Sequence, residues 1–156
     1  MLFADEERMG VELMASLSPE LRRQAVVYDR VIPYEGAPVA AFGPAQRERL
    51  MTLAGEFLVL PAGPRAARLA EIERHLDDTH FCWIGATDGE RPFYYRIQSP
   101  VIMIEFDEHA GVFLANEEPE RFHIHTIVRT PNGNDYGMDL LRAHYDRAHP
   151  GHRPGS

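Results

Sequence analysis

Six of the eight histidines fall at position 109 or later: His109, His123, His125, His144, His149 and His152. The pair whose spacing carries chemistry is His123-Ile124-His125. Side chains alternate between the faces of an extended strand, so both imidazoles leave on one side and Ile124 on the other. Two imidazoles at neighbouring same-face positions can chelate one divalent ion. Completing the ligand set is expected to fall to Glu105, an acid between Ile104 and Phe106, or to His144 near the C-terminus. A buried carboxylate is costly unless paired, hydrogen-bonded or metal-bound, which is why Glu105 draws notice. The plainer alternative is two hydrogen-bonded histidines and a Glu105 paired with Arg96 or Arg129. His149 and His152, in the polar tail, read as surface residues.

A second constellation is Tyr94-Tyr95-Arg96-Ile97-Gln98. Alternation sets Tyr94, Arg96 and Gln98 on one face, with Tyr95 and Ile97 on the other. A phenol, a guanidinium and a carboxamide together can hold a carboxylate or phosphate group, with arginine making a two-pronged contact. The alternative is an ordinary solvent-facing strand. The sequence has no glycine-rich phosphate loop, no H-E-x-x-H and no G-x-S-x-G. Cys82 is the single cysteine, which excludes an intramolecular disulfide and a multi-thiolate zinc site. It lies in an apolar run, where cysteine behaves as an inert small hydrophobe.

Those residues need a scaffold, and composition sets its scale. The chain has 156 residues, 44% hydrophobic and 26% charged, enough for one domain over 1–156 with its own core. The net charge of −8 opposes nucleic acid as a partner, because phosphate binding needs a cationic surface. No apolar run approaches the roughly 18–20 residues that span a bilayer, so no membrane partner is expected. The acidic N-terminus lacks the cationic and apolar regions of a signal peptide, and the chain as written is expected to be soluble and cytoplasmic.

The first half reads as helix. Leu2, Phe3, Met9, Leu13, Met14 and Leu17 form a stripe spaced by three and four. Ser18-Pro19 opens a second helix, with serine as cap and proline in the first turn. Residues 31–44, with three prolines, read as an extended connection. Gly43-Pro44 opens another helix carrying Leu50, Leu53 and Phe57, and Pro64 another with Leu69, Ile72 and Leu76 inward. After Asp78 the period changes to two, with strands predicted over 81–85, 93–98, 101–106 and 122–129. Their mostly short connectors favour an antiparallel meander. A terminal helix is expected over 137–149. The fold class is therefore α+β: an antiparallel sheet of about four strands packed with N-terminal helices and a C-terminal helix. The helices should cover the face away from His123 and His125, and Trp83, Ile97, Ile102, Ile104, Ile124 and Val128 should build the core.

Taken in order, several motifs resemble the DUF3500 family: His80-Phe81-Cys82-Trp83-Ile84-Gly85, Tyr94-Tyr95-Arg96-Ile97-Gln98-Ser99-Pro100, Ile104-Glu105-Phe106-Asp107, His123-Ile124-His125-Thr126, Asp135-Tyr136-Gly137-Met138-Asp139-Leu140-Leu141, and His144-Tyr145. Ser16-Leu17-Ser18-Pro19-Glu20 and Gly43-Pro44-Ala45-Gln46-Arg47 fit its helical portion. The resemblance implies convergence of the Tyr-Arg, Glu-Phe-Asp and His-x-His strands with the terminal His-Tyr. It also implies correspondence to the C-terminal part of longer family members. The family is one of unknown function, so the activity expected here comes from the residues. The leading expectation is a metal-dependent enzyme acting on a small polar or anionic molecule. His123, His125 and His144 would be metal ligands, Glu105 and Arg96 catalytic, and Tyr94, Arg96 and Gln98 substrate-binding. Zinc, iron or copper suits such a mixed N/O site. The alternative is a non-catalytic ligand-binding or protein-interaction module. Homo-oligomerisation is expected if the polar sheet face is left open.

Overall fold

A computed structural model describes residues 3–27, 34–108 and 119–131. Helix α1 (Ala4–Ser16) buries Gly10, Leu13 and Met14 along one side. It gives way at Leu17 to α2 (Pro19–Ala25), where the Ser18 hydroxyl accepts the Leu21 N–H at 3.2 Å and Pro19 occupies the first turn. The two-residue strand β1 (Ala37–Pro38) leads through a single 3₁₀ turn, Val39–Ala41, to α3 (Pro44–Glu56). There Gln46 accepts the Gly43 N–H at 2.7 Å and donates to the Ser16 carbonyl at 2.7 Å, tying α3 to the end of α1. Helix α4 (Ala62–Arg74) begins two residues before Pro64, which therefore sits inside its first turn. A 3₁₀ turn, Leu76–Asp78, then delivers the chain to the sheet.

The sheet is an antiparallel meander in the order β1-β2-β3-β4-β5, with β2 (His80–Gly85), β3 (Phe93–Gln98), β4 (Met103–Glu108) and β5 (Ile124–Arg129). It has five strands rather than about four, because part of the expected 31–44 connection pairs with β2 through Ala37 and Pro38. Proline is tolerated there because β1 is an edge. Strand β4 is displaced by two residues from the predicted 101–106. Ser99 builds the intervening turn: its hydroxyl accepts the N–H groups of Val101 and Ile102, and its own N–H donates to the Ile102 carbonyl at 2.8 Å. Ile102 is thus buried in the turn rather than in the strand.

One sheet face carries Phe81, Trp83, Phe93, Tyr95, Ile97, Ile104 and Phe106, all buried against Leu13, Met14, Leu50 and Leu53 of α1 and α3. Within it Trp83 stacks on Phe93 with centroids 4.4 Å apart, and Tyr95 on Phe106 at 5.1 Å. Offset aromatic contacts of this kind add to plain burial. Ile124 packs at the margin of the core. Val128 does not belong to it: it is 44% exposed, because β5 is the far edge strand and the helices lean on β2 to β4. Arg68 of α4 reaches that edge, donating to the Val101 carbonyl and the Thr130 hydroxyl. No helix among the described residues is long and apolar enough to cross a membrane. The helix expected over 137–149 lies outside the described residues, as do His109, His144, His149 and His152.

Candidate functional site

The face of the sheet turned away from the helices carries the polar residues, and strand register sets them in three rows. Cys82, Arg96, Glu105 and Ile127 face one another across β2 to β5. Ile84, Tyr94, Asp107 and His125 form the next row, and His80, Gln98, Met103 and Arg129 the row on the other side. The helices cover the opposite face, as the alternation of Ile124 with the histidines requires.

His123 and His125 come together at the β5 edge. Their Nε2 atoms are 2.9 Å apart and their rings meet edge-on with centroids at 4.7 Å. His123 is half-buried and His125 exposed. In a metal-free pair one Nε2 donates its proton to the lone pair of the other. The same spacing matches a chelate: at metal–nitrogen distances of about 2.0–2.1 Å, ligands at right angles stand about 2.9 Å apart and tetrahedral ones about 3.3 Å. Among the described residues no group of three His, Cys, Asp or Glu side chains is arranged to hold a metal ion. Glu105 sits opposite Ile127, one row from His125, and His144 lies outside the described residues.

Glu105 faces Arg96 across the β3–β4 pairing, and its carboxylate accepts the Tyr94 hydroxyl at 2.6 Å. Burial and then the Glu105 carboxylate push the Tyr94 phenol far above its ordinary range. Tyr94 is therefore a hydrogen-bond donor at every working pH, never a base. Arg96 is 6% exposed. Gln98 accepts the Tyr34 N–H at 3.1 Å, and the Tyr34 ring stands edge-on to His80 at 5.9 Å. The segment leading into β1 thus caps the Gln98 row, and the Gln98 side-chain oxygen holds backbone. Cys82 is buried, and burial lifts its thiol to about 11, so it stays protonated and unreactive at neutral pH.

A third set of polar residues emerges at the other end of the sheet. Glu7 of α1 is buried and pairs with Arg121 in the turn before β5. Glu108, the last residue of β4, is also buried, and its Oε2 accepts the Phe93 N–H at 3.0 Å. Burial, with a smaller push from Glu7, lifts the Glu108 carboxyl to about 7. Both acids stand on apolar stripes: Glu7 in the series Phe3, Glu7, Gly10, Leu13, and Glu108 in the alternation Ile104, Phe106, Glu108. That placement is the signal that marks them in the sequence.

A family model described as a protein of unknown function (DUF3500) matches residues 1–138. The motif resemblance implies the C-terminal part of the family, whereas the match covers the N-terminal part, residues 1–138, and leaves out His144-Tyr145. No curated protein and no solved structure matches the chain.

Proposed function

The chain belongs to the DUF3500 family, whose description assigns no function, and from that premise we propose that its polar sheet face is the centre of a metal-dependent enzyme acting on a small polar or anionic substrate. The observation that carries the reading is the 2.9 Å approach of the two Nε2 atoms on a strand face turned away from the helices. His123 and His125 supply two imidazole ligands. His144 and Glu105 are the candidates for completing the set, and an N/O set suits zinc, iron or copper. Such an ion supplies water activation or carbonyl polarisation when bound. Glu105, held by the Tyr94 hydroxyl and facing Arg96, is the acid–base group in this reading. Arg96 orients an anionic substrate group, and Tyr94, whose proton goes to Glu105, sets that carboxylate beside it.

The test is calorimetric titration of the chelator-treated protein with zinc, repeated on the His123→Ala/His125→Ala double variant. One saturable site per chain, lost in the double variant, is the expected result. Equal binding by both proteins removes the histidine pair from the account. A second reading is favoured by one observation: Tyr94 and Gln98 already spend their polar groups on Glu105 and Tyr34. In that reading the face is a non-catalytic module whose polar side chains brace the sheet, and the titration returns no site.

A further inference from the structure

Ile84, Tyr94, Asp107 and His125 form the last row of the polar face before the Gly85, Phe93 and Glu108 end of the sheet. At that end lies a cavity of about 370 Å³, within the range of sites that enclose small molecules. Ile84, Tyr94 and Asp107, all half-buried, line it from the row, and Pro92 and Pro119 wall it beyond the row. His125 is paired in register with Asp107. Residues directly opposite on one face have Cβ atoms about 4.5–5.5 Å apart, so His125 stands one strand from the cavity wall. His123 lies two residues further toward the same end, its Nε2 2.9 Å from that of His125. The histidine pair thus flanks the cavity on its β5 side.

The chemistry of the walls divides this space in two. Ile84, Pro92 and Pro119 offer hydrocarbon, and Tyr94 offers a ring whose hydroxyl is committed to Glu105. Burying an apolar group against such walls is favourable in proportion to the area covered. Asp107 is the charged lining side chain that shares this face, and its carboxylate repels an anionic group from the cavity. The cation that would receive such a group, Arg96, lies in the next row, on the side of His125 away from the cavity. An apolar body is favoured at one end, and a polar or anionic head at the other, with the histidines between them.

We infer that this cavity takes the apolar body of the substrate, an aryl or branched alkyl group, while an acyl or carboxylate head lies over His123 and His125. The inference rests on the metal reading for the head and on the cavity for the body. Neighbouring strands are about 4.8 Å apart, so head and body are separated by about 5–10 Å. An aromatic ring carried on a short alkyl chain spans that distance. The substrate class is therefore an arylalkyl or branched-alkyl carboxylic acid derivative, lying across the strands rather than along them.

Calorimetry on the whole chain, loaded with zinc, tests this with propionohydroxamic acid and 3-phenylpropionohydroxamic acid. The two share a metal-binding head and differ by one ring. Both should bind, the phenyl compound about ten- to a hundredfold tighter, as burial of a ring predicts. Its affinity should collapse in the zinc-free protein. Ile84→Glu, which sets a carboxylate in the half-buried wall, should remove the advantage of the ring while zinc stoichiometry and propionohydroxamate affinity stay unchanged. Pro119→Asp, at an exposed wall position, should do the same and covers the case where the first variant does not fold. Absence of zinc binding overturns the metal reading, and the substrate assignment falls with it. With zinc bound, four results overturn the cavity assignment alone: neither hydroxamate binding, equal affinity for the two, a ring advantage retained in either folded variant, or phenyl binding as tight without zinc.

Discussion

Trp83→Ala is the perturbation that asks most of the proposed packing. Trp83 is fully buried, stacks on Phe93 at 4.4 Å, and lies 6.2 Å from Tyr95 and 6.4 Å from Phe81. Its indole N–H donates to the Ala86 carbonyl at 3.1 Å. Truncating a buried large aromatic costs about 3–5 kcal/mol through lost burial and the cavity left behind. Loss of the stack and of the Ala86 hydrogen bond places this site toward the upper end of that range. Domains of this size are held by about 5–15 kcal/mol in all, so the variant should retain only a fraction of its margin. With a urea m-value of about 2 kcal/mol/M, the unfolding midpoint should fall by about 2 M. Far-UV circular dichroism is the readout, because Trp83 is the only tryptophan and its fluorescence leaves with it. Trp83→Phe keeps a ring on Phe93 but loses the N–H donor, and should give a clearly smaller loss, about 1–2 kcal/mol. A loss below about 1 kcal/mol for the alanine variant would refute the packing of β2 against the helices.

Other consequences are as concrete. Ser18→Ala removes the cap of α2 and should cost about 1 kcal/mol in thermal or urea unfolding; no change would mean that the 3.2 Å contact with Leu21 carries nothing. Gly36 has φ +109°, and a Cβ there would stand 2.3 Å from the Phe81 carbonyl oxygen. Gly36→Ala should therefore lose at least the 1–3 kcal/mol typical of such backbone strain, and a neutral substitution would contradict the pairing of β1 with β2. Because the folded pKa of Glu108 is raised from its ordinary 4.5 to about 7, the native state binds more protons than the unfolded state in that window. Stability should fall as pH rises from about 4.5 to 7 and level off above, and Glu108→Gln should flatten that slope in urea titrations across pH. A slope unchanged by the substitution would assign it to other groups.

Much of the scaffold is legible in the residues because local and global preferences agree. Ser18-Pro19 and Gly43-Pro44 start helices at the first residues those pairs permit. The change of period after Asp78 marks β2, β3 and β5, and the alternation around Ile124 assigns the helix-covered face. Where sequence pattern and structure differ, an edge position or a side-chain contact that periodicity does not encode decided. Pro38 enters a strand because an edge needs no N–H from it. Val101 and Ile102 look like strand but are recruited by the Ser99 hydroxyl into a turn, which slides β4 onto Asp107 and Glu108. Val128 has the right parity for the core but lies on the strand the helices do not reach. In the polar face, period two brings Tyr94, Arg96, Glu105, His123 and His125 to one side. It cannot tell that Gln98 is taken by the Tyr34 backbone, a contact 64 residues away in sequence. The Glu7–Arg121 pairing spans 114 residues and is likewise invisible to any local pattern.

The central claim is that His123 and His125 are placed to hold a metal ion, and metal content tests it most directly. Elemental analysis of tag-free protein, purified without chelator, should find close to one zinc, iron or copper per chain. The His123→Ala/His125→Ala variant, folded to the same circular dichroism spectrum, should have lost it. Metal-free wild-type protein, or metal retained in full by the double variant, would contradict the account.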